Sequence, residues 1–235
     1  MRPLLLILAL IAPIAEARVR AVASRVATAR RIVIVIAHPD DEILIAPLLY
    51  DRCVRARASC AFVVLTAGEN GGDADVRMGE MARAAAMFNA RLTQWTYPDV
   101  MDNVDETWSA QAGGHHVLVR RLRNAIEAEH PDLILTLDPV HGTTGHPAHR
   151  TVGQLVLETY LPNIYLIETV AEFVGEGFIL GNGGGEGAWV YRGDWDAVIR
   201  DAENHASQFS RAQVESLRNL PEAQQRVWFK PAPAP

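Results

Sequence analysis

The sequence predicts an α/β fold of three layers, a mainly parallel central sheet covered by helices on both faces. Three observations predict it. Ile32, Val33, Ile34, Val35 and Ile36 run unbroken into Ala37, and a run apolar on both faces suits a buried parallel strand. Further apolar runs at 60–65 (CAFVVL), 132–137 (DLILTL) and 163–169 (NIYLIET) alternate with stretches of helical periodicity, as βα units do. The polar clusters fall directly after strands, at the carboxyl ends where open parallel sheets bind ligands. The layout is Rossmann-like.

Residues 1–17, MRPLLLILALIAPIAEA, carry Arg2, an apolar core from Leu4 to Ile14 and the small-residue site Ala15, Glu16, Ala17. That is the pattern of a cleavable signal peptide, and it places the mature chain in the periplasm or outside the cell. The core is short of the roughly 20 residues of a transmembrane helix, so no stable membrane insertion is expected after cleavage; an uncleaved anchor is the alternative. Cleavage removes one Arg and one Glu, so the net charge of -6 is unchanged. An acidic chain without a basic patch argues against nucleic acid as a partner. Residues 18–220 suit one domain, followed by a loosely ordered Pro-rich tail over 221–235. In an oxidising compartment Cys53 and Cys60 are close enough in sequence to form a disulfide; two separate buried thiols are the alternative.

The first strand ends in His38, Pro39, Asp40, Asp41 and Glu42. His38 and Asp41, three apart where strand turns into helix, can converge on one point while Asp40 points elsewhere. A divalent cation on that pair would leave Asp40 as a free carboxylate beside it, able to take a proton from water. The plainer reading is that the three acids load the first turn of a helix. Helical periodicity follows from Glu42 to Arg52, interrupted by Pro47. The second strand ends in the glycine-rich loop 66–72, which lacks both the GxGxxG spacing and the Lys of a phosphate-binding loop.

A helix is expected over Val76–Asn89, with Arg77 and Glu80 as a surface ion pair or as an arginine held at the crevice rim. A third strand over Leu92–Tyr97 leads to Asp99 and an irregular loop over 100–114. Adjacent on the helix 115–129, His115 and His116 diverge and make poor joint ligands. The strand 132–137 is followed by His141, His146 and His149 within nine residues. Either His146 or His149 could complete a site of two histidines and one carboxylate, with the other facing the substrate. The last parallel strand lies within 160–169. The glycine-rich 170–191 suits a hairpin or lid, and Asp194 caps a helix from Trp195 to about Phe209.

HPDDE after a buried strand, Thr66, Gly68 and Glu69 after the second, Arg77 and Glu80 on the next helix, and GHPAHR after a later strand together resemble the PIG-L/LmbE family of zinc-dependent N-acetylglucosaminyl deacetylases. Tyr165 and His205-Ala206-Ser207-Gln208 extend the match. The resemblance implies an LmbE-like fold, one Zn2+ bound by His38, Asp41 and His149, Asp40 as general base and a protonated His146 stabilising the oxyanion. It further implies that Arg77 and Asp99 contact the sugar, and that the substrate is an N-acetylglucosamine-type amino sugar or glycoconjugate. One position departs: the family has Asp between the two histidines where this chain has Ala148. That leaves two other readings, a non-catalytic metal- and sugar-binding homologue, and an Fe2+ enzyme, since the same ligand types suit iron.

Overall fold

The computed structural model describes residues 23–174, 177–183 and 188–233; the signal peptide expected over 1–17 lies outside them. Seven strands form one sheet in the order β3-β2-β1-β4-β5-β9-β8: β1 Arg31–Ile36, β2 Ser59–Thr66, β3 Ala90–Tyr97, β4 Leu133–Leu137, β5 Ile164–Ile167, β8 Trp189–Tyr191 and β9 Val227–Pro231. The first five pair in parallel, whereas β9 pairs antiparallel with β5 and β8. Strand order reverses between β1 and β4, so a crevice opens beyond their carboxyl ends. Val33 to Ile36 are at most 1% exposed, which is why this strand reads as an uninterrupted apolar run.

Helices α1 (Ala74–Met87), α2 (Val104–Ala112), α3 (His115–Glu127), α4 (Pro147–Glu158), α5 (Asp196–Asn204) and α6 (Arg211–Arg218) flank the sheet. On α3, Leu118, Leu122 and Ile126 supply the fully buried stripe at helical spacing. Helix α4 lies tight on β4: a Cβ at Gly153 would stand 2.3 Å from the Leu137 carbonyl oxygen, an approach open only to glycine. A separate antiparallel hairpin, β6 (Thr169–Val174) and β7 (Gly177–Asn182), follows β5. Among the described residues no helix is long and apolar enough to cross a membrane.

Four expectations are corrected. The helix expected over Glu42–Arg52, interrupted at Pro47, is three short pieces, a 3-10 turn at Asp41–Ile45, an α-turn at Ala46–Leu49 and a π-turn at Tyr50–Arg55, with Pro47 in the first turn of the second piece. There proline's missing N–H costs no helical bond. The loop expected over 100–114 contains α2, whose only large buried apolar residues are Val104 and Trp108; two contacts among acids give too little periodicity to read. Helix α5 stops at Asn204, and Ser210 starts α6 with a reciprocal capping box to Gln213. The Pro-rich tail contains β9, where Phe229 pairs with Ile167 on the outer edge of β5. Only that tertiary edge makes a strand of so short an apolar run. A disulfide joins Cys53 and Cys60.

Candidate metal centre

The end of β1 is turned by its own acid. Asp41 Oδ2 accepts the backbone N–H of Ala37 at 3.0 Å and of His38 at 2.9 Å. Its Oδ1 thereby comes within 2.9 Å of His149 Nε2. His38 Nδ1 lies 3.0 Å from the same His149 Nε2 and 3.7 Å from Asp41 Oδ2. Two imidazoles and one carboxylate from opposite sides of the switch point thus aim at one small volume.

The far edges of both rings determine which nitrogens are free. His149 Nδ1 donates to the Gly142 carbonyl at 2.8 Å, which leaves Nε2 as a lone pair. His38 Nε2 faces Asp99 Oδ1 at 3.0 Å, which turns Nδ1 toward His149 and Asp41. Outward hydrogen bonds that fix tautomer and ring angle are the supporting arrangement of metal-ligating histidines. Nitrogen lone pairs this close repel unless a proton or cation lies between them. Burial opposes a charged His38, yet Asp41 and Asp99 outweigh it and carry its pKa to about 10. Burial likewise opposes ionisation of Asp41, but His149 and His38 hold its carboxyl well below the usual range. The pocket is built to hold positive charge, and the N, N, O donor set fits Zn2+ or Fe2+.

Asp40 takes φ 105°, an uncommon conformation for a residue with a side chain. It turns the carboxylate away from Asp41, onto the Arg77 guanidinium at 2.9 Å. Burial first, then the charge of Asp41, push the Asp40 carboxyl up to about 6 against the opposing cations. His146 caps α4, its Nδ1 accepting the Ala148 N–H at 3.2 Å, so the neutral ring carries its proton on Nε2. Burial and the charges of His38 and His149 push His146 down to about 4. The resemblance implied a protonated His146; the cap bond to Ala148 suits the neutral ring. Asp138 does not replace the acid missing at Ala148: it accepts the N–H groups of Val140 and His141 and pairs with Lys230.

Arg77 and Glu80 are both buried, and neither holds the other. Arg77 donates to Gly68 and Pro39 carbonyls besides Asp40, whereas Glu80 accepts the Ser207 N–H and hydroxyl. Asp99, expected at the sugar, is committed to His38 although both it and Arg77 border the crevice. His205 is fully buried against Glu42 at 2.7 Å with Asp201 beside it. Glu42 in turn accepts the Asp40 N–H at 3.1 Å. Sequence reasoning assigned Glu42 only a helix-turn role and passed over Asp201. Tyr165 lies on β5 and borders a different depression. His115 meets Asp105 and Glu158 at the surface.

Beside the three donors lies a cavity of about 270 Å³ whose lining includes Asp40, Arg77, Asp99 and His146. A family model described as PIG-L, GlcNAc-PI de-N-acetylase, matches residues 33–160. No curated protein matches the chain in sequence. Among solved structures, N,N'-diacetylchitobiose deacetylase from Pyrococcus horikoshii with its inhibitor MPG superposes with TM-score 0.63 at 17% identity, over 88% of this chain and 85% of that one. The zinc-inhibited form of teicoplanin deacetylase Orf2 gives 0.60 at 15%, over 86% and 97%. GalB, the 4-carboxy-2-hydroxymuconate hydratase of Pseudomonas putida KT2440, gives 0.59 at 13%, over 86% and 96%. At these identities the likeness is one of fold.

Proposed function

The chain belongs to the PIG-L, GlcNAc-PI de-N-acetylase, family, and from that membership we propose that it is a metal-dependent hydrolase removing an N-acetyl or other N-acyl group from an amino sugar or glycoconjugate. One observation carries the reading: His38 Nδ1, Asp41 and His149 Nε2 converge with tautomers already set, and a spare carboxylate, Asp40, stands beside them. A hydratase on the same fold is the reason fold alone does not select the reaction.

A divalent cation held by His38, Asp41 and His149 would polarise the acyl carbonyl and lower the pKa of water at its open position. Asp40 takes the proton as water oxygen bonds to the acyl carbon. The C–N bond then breaks, and Asp40 returns the proton to the departing amine nitrogen; the other product is a carboxylate. Arg77 holds the Asp40 carboxylate in place. His146, neutral, donates its Nε2–H to the carbonyl oxygen as charge develops there, a role that needs a donor but no charge.

Acetate release from a panel of N-acetylated sugars and glycoconjugates, with metal content measured alongside, tests the reading. Turnover that depends on metal and disappears in Asp40→Asn supports it; bound metal with no turnover on the panel opposes it. The binding-protein reading draws on Ala148, because His146 has no carboxylate partner. A large gain of activity in Ala148→Asp would favour that reading. Metal analysis after aerobic and anaerobic purification separates zinc from iron.

We also propose export. The leader pattern over 1–17 supports it, and so does the Cys53–Cys60 disulfide, which would not persist in a reducing cytosol. N-terminal sequencing of secreted protein should begin at Arg18.

A further inference from the structure

We infer that the group removed is an apolar N-acyl chain longer than acetyl, seated against the apolar wall of the crevice; this rests on the deacylase reading above. That wall is formed by Ala171, Phe178 and Leu180 of the β6–β7 hairpin and by Trp195, Phe209 and Leu217 from α5, α6 and their flanks. Trp195 and Thr169, which also border it, are engaged within the fold. Trp195 Nε1 donates to the Leu217 carbonyl at 3.0 Å, and Thr169 Oγ1 accepts the Trp228 N–H at 3.0 Å.

A sugar ring there would bury hydroxyls against a wall without partners for them, which costs more than leaving them in water. The scissile amide has a sugar on one side and an acyl group on the other, and the apolar wall suits the acyl chain. The hairpin, α5 and α6 all lie beyond residue 160, where the family match ends.

The test is amine release by the metal-loaded protein from glucosamine carrying acetyl, butanoyl, hexanoyl or octanoyl groups. Burying one CH2 is worth about 0.8 kcal/mol, or about fourfold. Partial burial of the six added in octanoyl should still raise kcat/KM about 100-fold over acetyl. Ala171→Trp, which fills the cavity, should cut the octanoyl-to-acetyl ratio at least about tenfold; Leu180→Gln serves if that variant does not fold. A flat or falling series overturns the inference while leaving the deacylase reading intact. A gain only when the octyl chain is moved to the anomeric oxygen of N-acetylglucosamine overturns it too. If no amide is cleaved, the catalytic reading fails instead, and calorimetry decides this inference. N-octanoylglucosamine binding much tighter than N-acetylglucosamine, and weakened by Ala171→Trp, sustains it; equal binding overturns it.

Discussion

Asp99 Oδ1 lies 3.0 Å from His38 Nε2, on the opposite edge of the ring from His149 and Asp41. The acid is 4% exposed and its pKa is lowered: burial opposes ionisation, but the bond to His38 and its charge prevail. This geometry orients a ligand, whereas the family resemblance implied a sugar contact. The two roles separate in Asp99→Ala. Loss of the orienting bond should weaken metal about 10–100-fold, read by competition with a chelator. An unchanged metal affinity with a raised KM would restore the sugar contact.

As the proposed base, Asp40 would set the pH dependence of the reaction. As a base it works when ionised, so kcat/KM should fall as pH drops through its pKa, which burial and Asp41 push up to about 6. A bound cation stabilises the carboxylate and moves that limb downward, so the acid limb should be centred no higher than about 6. Asp40→Asn should lower kcat at least about 100-fold and erase the limb with metal still bound. A limb that survives the substitution assigns the base elsewhere.

Metal should also stabilise the fold, because His38, Asp41 and His149 are brought together only when β1 and α4 are docked on the sheet. Free cation at a hundred times its dissociation constant would add about 2.7 kcal/mol, visible as a rise in Tm on titrating Zn2+ into chelated protein. Asp41→Asn removes the anion that both histidines face and should abolish most of the rise. An equal rise in that variant would place the binding site elsewhere.

The strands β1, β2 and β4 and the clusters at their ends were legible because central parallel strands are apolar on both faces. A polar run after one marks the sheet's open end. Asp40 and Asp41 stand within five residues of the end of β1, and His146 and His149 lie at the start of α4, the helix after β4, so position after a buried strand nominated them. Contacts made across the fold were not legible. The pairing of His38 with Asp99 spans 61 residues, and that of His205 with Glu42 spans 163. No local period encodes either. Strand β9 was hidden for the same reason, since its partner is an edge formed some sixty residues earlier.

His205, Glu42 and Asp201 are fully buried, and Glu42 links them to the Asp40 backbone. Burial opposes a charged His205, but Glu42 outweighs it and carries the pKa up to about 9. Burial, then Glu42, hold the Asp201 carboxyl well above the usual range. The cluster therefore stays folded as one cation, one anion and one neutral acid. A histidine raised from 6.5 to about 9 contributes stability in full below about pH 6.5, and loses it as pH rises through about 9. Urea midpoints should fall between those pH values and become flatter there in His205→Gln. Removing the cation leaves Glu42 buried without a charged partner, so His205→Gln should cost about 3–5 kcal/mol near pH 6. Asp201→Asn swaps one neutral group for another and should cost far less. Equal losses in the two variants would mean that Asp201 is ionised in the fold and that the charge assignment is wrong.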